Sequence, residues 1–299
     1  MNPNQTENLK DIKYIITAII RDNLSPEAWS WLAEKCILEN QSNYQLNIAF
    51  VSMPRKTGKA FIHCTAKQTE AISLARPHFT INNWSIDRLC RLWLLLHIDS
   101  TKKDAYFHAI ENLFQAAEMN ELVALYSSLP VLSYPEIWRG RCAEGIRSNI
   151  GTALEAIICN NPYPSEQLSD AAWNQLVMKA FFTDKPIQQI IGLDQRANRD
   201  LANILSDYAN ERRAASRTVN PQLWRCTGKF IDDKIFPGIQ RTYHSTDPIE
   251  KEAAALACYD SDYPAAKELL NQNVSLKLLI ESGELTWEQL AKKTILQPG

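Results

Sequence analysis

Apolar residues recur at helical spacing along almost the whole chain, and no stretch shows the strict alternation of a half-buried strand. Only "NIAFVSM" (47–53) is ambiguous between helix and strand. Helix starts are written into the sequence. "SPEAW" places Ser25 at an N-cap and Pro26 at the first helical position, and "DPIE" does the same with Asp247 and Pro248, with Glu250 close to a capping box. "TWEQ" (286–289) is a weaker start. Stops fall at Pro77, "LPVLSYP" (129–135), "NNPYP" (160–164) and Gly283. The pattern predicts helices over 7–23, 26–39, 43–52, 66–75, 84–98, 101–117, 119–128, 136–159, 167–183, 197–217, 231–243, 248–258, 263–271, 273–282 and 286–293. Short connections between them predict an all-α fold of antiparallel helix pairs. "DPIEKEAAALACYDSDYPAAKELL" (247–270) reads as a HEAT-like helix pair, so a helical-repeat array is expected. The expected division is 1–65 for the N-terminal helices and 66–299 for the main domain, with 247–299 as HEAT-like C-terminal helices, or one continuous domain. The basic stretch "PRKTGKA" (54–60) is the best linker candidate. It lacks the leading Gly and the final Ser or Thr of a phosphate-binding loop.

Composition narrows the function classes. The 299 residues carry a net charge of −2, so a nucleic-acid polyanion is not the expected partner. The most apolar run, "LCRLWLLLHI" (89–98), is broken by Arg91 and is about half the ~20 residues of a membrane span. The polar N-terminus does not read as a signal peptide. The cysteines show no C-x-x-C spacing and are expected to be reduced, mostly buried residues, which favours the cytoplasm. No His pair has metal-ligand spacing, so no metal site is predicted, and no nucleophile–base motif is present. "FIDDK" reads as a helix N-terminus at Asp232 and Asp233. Trp84, Trp173 and Trp224 are expected in the core.

The unusual feature is charge inside apolar sectors. On a wheel of about 100° per residue centred on Ile150, Arg147 falls at about +60°, between Leu154 and Ile158. Arg88 lies between Leu92 and Leu95, with Asp87 and Arg91 farther round. Glu211 and Arg212 continue the sector of Leu201, Ile204 and Leu205, and Asn174 falls beside Phe181. Unpaired buried charge is costly, so these groups are expected to be buried together, either as a structural network or as the wall of a ligand cavity. The expected ligand-binding set is Arg88, Arg147, Asn174, Asp207, Glu211 and Arg212. Glu144 and Glu211 are the acid/base candidates if the chain is an enzyme. Arg147 is expected to cross a helix seam toward Glu211, with Gly140 and Gly151 leaving room beside it.

Several stretches carry a family resemblance: "ARPHFTINNWSIDRLCRLWLLL" (75–96), "LVALYSSLPVLSYPE" (122–136), "RCAEGIRSN" (141–149), "NPYP", "AWNQLVMKAFF" (172–182), "GLDQRANRDLANILSDYANERRAASR" (192–217) and "PQLW" (221–224). Over roughly residues 70–260 the chain resembles the EboA family. The matching motif residues include Arg76, Trp84, Asp87, Arg88, Glu144, Arg147, Asn149, Asn174, Asp207, Glu211 and Arg212. One departure is Asn210, where the family more often carries His. The resemblance implies a place in bacterial gene clusters that deliver secondary-metabolite precursors, including those of a sunscreen pigment, toward the periplasm. Other proteins of those clusters resemble a prenyltransferase, a sugar-phosphate cyclase and TIM-barrel hydrolases. The resemblance carries no reaction and names no cofactor. The first expectation is an accessory protein that binds a small metabolite, with an anion as the class its arginines would suit. The alternatives are an enzyme acting on an anionic or prenylated small molecule and a helical scaffold for other proteins of the cluster.

Overall fold

The computed structural model describes residues 3–37 and 43–296, and over these it is all-helical apart from one isolated bridge between Phe61 and Ser85. Two compact units divide at Ser169/Asp170. The first contains α1 (Pro3–Asn23), α2 (Pro26–Ile37), α3 (Asn43–Thr57), α4 (Ala66–Ala75), α5 (Ile86–Leu95), α6 (Lys103–Ala116), α7 (Met119–Ser128), α8 (Arg139–Arg147), α9 (Gly151–Ile158) and α10 (Tyr163–Gln167). The second contains α11 (Asp170–Phe182), α12 (Arg199–Ala214), α13 (Phe236–Tyr243), α14 (Pro248–Asp260), α15 (Pro264–Asn271), α16 (Val274–Glu281) and α17 (Trp287–Leu296).

The helix starts obey local chemistry. Ser25 Oγ accepts from the Ala28 N–H and Asp247 accepts from that of Ile249, as the Ser-Pro and Asp-Pro pairs predict. Thr65 and Gln68 close a capping box ahead of α4, and Asn198 caps α12 through the Leu201 N–H. Asp232 Oδ1 accepts from the Lys234 and Ile235 N–H groups just before α13. Residues 38 and 39 of the expected helix 26–39 lie outside the described residues.

In the first unit α5 is the central helix, packed against α1, α3 and α7. Every residue of α5 except Arg88 is buried, including Asp87 and Arg91. A helix buried all round has no solvent face. Asp87 and Arg91, placed farther round on the wheel, therefore form its buried ion pair at 2.7 Å, with Glu121 of α7 3.7 Å from Arg91. In the second unit α14 packs on α13, α15, α16 and α17, and its interior-facing side is mostly alanine. Small side chains permit that close approach of several helices to one.

Two expectations change. "PRKTGKA" is not a linker throughout, because α3 continues through Pro54 to Thr57. Pro54 cannot donate to the Phe50 carbonyl four residues earlier. Arg91 Nε donates to that carbonyl instead, at 2.9 Å. The single helix expected over 136–159 is two. α8 ends at Arg147, Ser148 is extended (φ −65°, ψ 157°), and α9 starts at Gly151.

Candidate functional site

The break at Ser148 explains Arg147. A wheel through Ile150 presumes a helix that does not run there, since Ile150 is itself extended at the N-cap of α9. Arg147 is exposed, and so are Glu144, Asp207 and Glu211. The expected burial of Arg147 and Glu211 is therefore not found. Glu144 pairs with Arg141 at 2.7 Å, and Asp207 with Lys234 at 3.0 Å. Arg212 folds back on its own helix end, donating to the Thr218 carbonyl and to Tyr208 Oη. Asn174 is buried as expected, but it exchanges two hydrogen bonds with Asn198. Within the second unit these side chains have separate partners and do not form one network.

Arg88 is the exception among the expected ligand contacts. Its guanidinium lies 3.9 Å from the centre of the Trp84 ring and donates to Ser127 Oγ. Its Nε is buried without a hydrogen-bond partner, and no carboxylate of the described residues reaches ion-pair distance. Burial pushes its pKa down to about 10, against the opposing pull of Asp87.

A half-enclosed pocket of about 160 Å³ lies elsewhere in the first unit. It is built by three separate loops against α1. The first loop supplies Arg76 and Pro77. Arg76 ends α4, its N–H bonded to the Ile72 carbonyl, and the following proline bars the helix from continuing. The second supplies Pro130, Leu132 and Pro135. Ser133 fastens it, donating its N–H to Tyr106 Oη and accepting from Trp138 Nε1. The third is "NPYP", which supplies Tyr163, followed by Glu166 and Gln167 on α10. Asn161 holds this turn by accepting from the Tyr163 N–H and donating to the Tyr126 and Ala156 carbonyls.

Each loop contains a non-glycine residue in left-handed backbone: His78 (φ 63°), Tyr134 (φ 55°) and Asn160 (φ 51°). For Tyr134 this conformation is costly, and the proline that follows adds to the restriction. Such strain persists only where surrounding contacts hold it, and it concentrates at functional sites. Tyr134 is held by its hydroxyl, which donates to the Ser100 carbonyl at 2.8 Å, and by an edge contact with Tyr106.

The polar groups of the pocket face one another. Arg76 Nε donates to the Pro130 carbonyl at 2.9 Å, and its terminal nitrogens reach both oxygens of Glu166 at 2.8 and 2.5 Å. Tyr163 Oη donates to the Pro135 carbonyl at 2.6 Å, and burial pushes that phenol upward, so it stays a protonated donor. Arg76 was visible as a motif residue; Glu166 carried no sequence signal. Among the described residues no cluster of His, Cys, Asp and Glu could hold a metal ion, and no helix is long and apolar enough to cross a membrane.

The geometry defines an all-helical protein with a small pocket assembled from three proline-bearing loops, each with one residue in left-handed backbone. The chain matches the family model described as metabolite traffic protein EboA over residues 12–228. It belongs to the EboA family. No curated protein and no solved structure matches it.

Proposed function

We propose that the protein is an accessory small-molecule-binding component of a metabolite-traffic pathway, with the Arg76–Glu166 pocket as its ligand site. The observation that carries this is the convergence of three loops, "ARPHF", "LPVLSYPE" and "NNPYP", each with a left-handed residue and one of them strained at Tyr134, on one half-apolar pocket. Binding is favoured over catalysis because Arg76, Glu166 and Tyr163 are engaged with each other or with backbone carbonyls, and no nucleophile–base pair lines the pocket. The seven free cysteines fit action in a reducing cytoplasm. The α14–α15 pair, packed helix on helix, supports reading the C-terminal region as HEAT-like. Native mass spectrometry of the protein purified from its own host tests the main reading. Wild type should carry a co-purifying small molecule, and Leu9→Trp, which places an indole in the pocket, should lose it while remaining folded. A folded Leu9→Trp variant that retains the molecule rules this pocket out. Arg88 does not line this pocket, so in the same experiment Arg88→Met should leave retention unchanged; a folded Arg88→Met variant that loses the molecule would move the ligand site to Arg88.

Docking of other cluster proteins has one observation in its favour. Tyr44, Ile48 and Val51 form an exposed apolar stripe at i, i+4 and i+7 on α3. If that stripe docks a partner, Ile48→Lys should abolish co-purification of a protein encoded in the same cluster; unchanged co-purification would reject the reading.

A further inference from the structure

We propose that the pocket selects a small monocarboxylic acid with an apolar body, whose carboxylate displaces Glu166 from Arg76. This rests on the reading that the pocket is the ligand site. The guanidinium is aimed before any ligand arrives, because Nε is tied to the Pro130 carbonyl and both terminal nitrogens point to one carboxylate. Two nitrogens each bonded to its own oxygen is the pairing a carboxylate takes on an arginine fork.

The two partners differ in how firmly they are held. The Arg76 side chain is 20% exposed and has a backbone anchor, whereas the Glu166 side chain is 38% exposed and, among the described residues, its carboxylate bonds to Arg76 alone. Glu166 stands on α10, a helix of five residues. More than a third of the Glu166 side chain is open to water, and an incoming carboxylate remakes its two bonds to Arg76, so the exchange costs little. Glu166 therefore acts as a placeholder: it keeps the arginine paired in the empty pocket and leaves when another carboxylate takes the fork.

The remaining walls fix the rest of the ligand. Leu9, Ile12, Pro77, Pro130, Leu132 and Pro135 are apolar, and Tyr163 spends its hydroxyl on the Pro135 carbonyl. Gln167 is the other polar side chain of the lining, and no cation but Arg76 lines the pocket, so a second anionic group on the ligand would meet no opposite charge there. The volume of about 160 Å³ is close to that of a cavity that accepts benzene. One carboxylate on an apolar body of about that size satisfies the pocket.

Titration calorimetry on the full chain tests this with four probes: benzoate, benzamide, benzyl alcohol and phenyl phosphate. Benzoate should bind more tightly than the neutral probes. Glu166→Gln should tighten benzoate by roughly fivefold, the effect of removing a partly solvated competing pair, without tightening benzyl alcohol. Arg76→Met, checked for folding by circular dichroism, should lose benzoate and keep benzyl alcohol. Benzamide or benzyl alcohol binding as tightly as benzoate would overturn the proposal while leaving the pocket as a ligand site. Phenyl phosphate binding as tightly as benzoate would overturn the carboxylate class. Benzoate unchanged or weakened by Glu166→Gln would overturn the placeholder role. No binding of any probe, in wild type or in Glu166→Gln, would overturn both the proposal and the reading beneath it.

Discussion

Arg91→Met should be the most damaging single change in the first unit. Arg91 is 1% exposed and sits between Asp87 at 5% and Glu121 at 6%. It donates to Asp87 at 2.7 Å, approaches Glu121 at 3.7 Å and supplies the Phe50 carbonyl with the donor that Pro54 cannot. Methionine keeps an unbranched chain but removes all three contacts. Two carboxylates and one carbonyl are then left inside the unit without their cation. Stripping one partner from a buried ion group costs about 3–5 kcal/mol. For a unit of this size each kcal/mol moves the melting temperature by about 2–4 °C, so Tm should fall by about 6–20 °C. Thermal unfolding followed by circular dichroism measures it. A second substitution isolates the proline contact. Pro54→Ala restores an N–H four residues after Phe50. It should therefore gain about 1 kcal/mol more in the Arg91→Met background than in wild type, the net worth of one hydrogen bond. A Tm drop below about 2 °C would refute the buried-charge argument. Equal gains in the two backgrounds would refute the role of Arg91 as the surrogate donor.

Arg147→Met should change stability by no more than about 1 kcal/mol in chemical denaturation, because the side chain is exposed and contributes only a favourable charge at the end of α8. A loss of several kcal/mol would mean that Arg147 is buried after all. His97 gives a pH dependence. Burial, opposed by its bond to the Trp93 carbonyl and assisted by Lys13, pushes its pKa from 6.5 down to about 4. The native imidazole stays neutral while the unfolded one takes up a proton. Its contribution is therefore intact above pH 6.5 and is lost as pH falls from 6.5 toward about 4. His97→Gln should flatten the fall in Tm across that window; an unchanged slope would remove His97 as its source.

Most helices were legible because their signals are local. Ser25-Pro26 and Asp247-Pro248 start helices by supplying a cap acceptor and a residue that needs no helical partner for its nitrogen. The apolar-sector argument failed for physical reasons. On α5 it singled out Arg88 and set Asp87 and Arg91 aside, yet that helix is surrounded, so angular position does not separate buried from exposed. The signal that was available is the i, i+4 spacing of Asp87 and Arg91. In 136–159 the periodicity continues across an interruption of the helix, because Ile146, Leu154 and Ile157 are buried on either side of an extended Ser148. No proline marks that break. The pocket was least legible. Arg76, Pro130 and Tyr163 come from distant loops, and loop residues have no period; only their shared membership of the EboA motifs pointed to them.

Gly145 shows how close approach can be separated from mere absence of bulk. The wheel selected Gly140 and Gly151 as the places where a neighbour comes near. At Gly140, however, an added methyl meets nothing within 4 Å. At Gly145 it would stand 2.5 Å from Ile157 Cδ1 and 2.6 Å from Tyr126 Cζ. Ile157 and Tyr126 are both buried, so neither can swing into solvent. Both glycines lie in α8, where alanine gains up to about 1 kcal/mol from its higher helix propensity. At Gly140 nothing opposes that gain, and Gly140→Ala should stabilise the protein. At Gly145 overpacking of about 1–3 kcal/mol opposes it. Gly145→Ala should therefore come out neutral to about 2 kcal/mol destabilising. The difference between the two variants cancels the propensity term and reads the packing directly in urea unfolding. If Gly145→Ala stabilises as much as Gly140→Ala, α8 has room to move away from α9, and the contact between them is not what requires glycine.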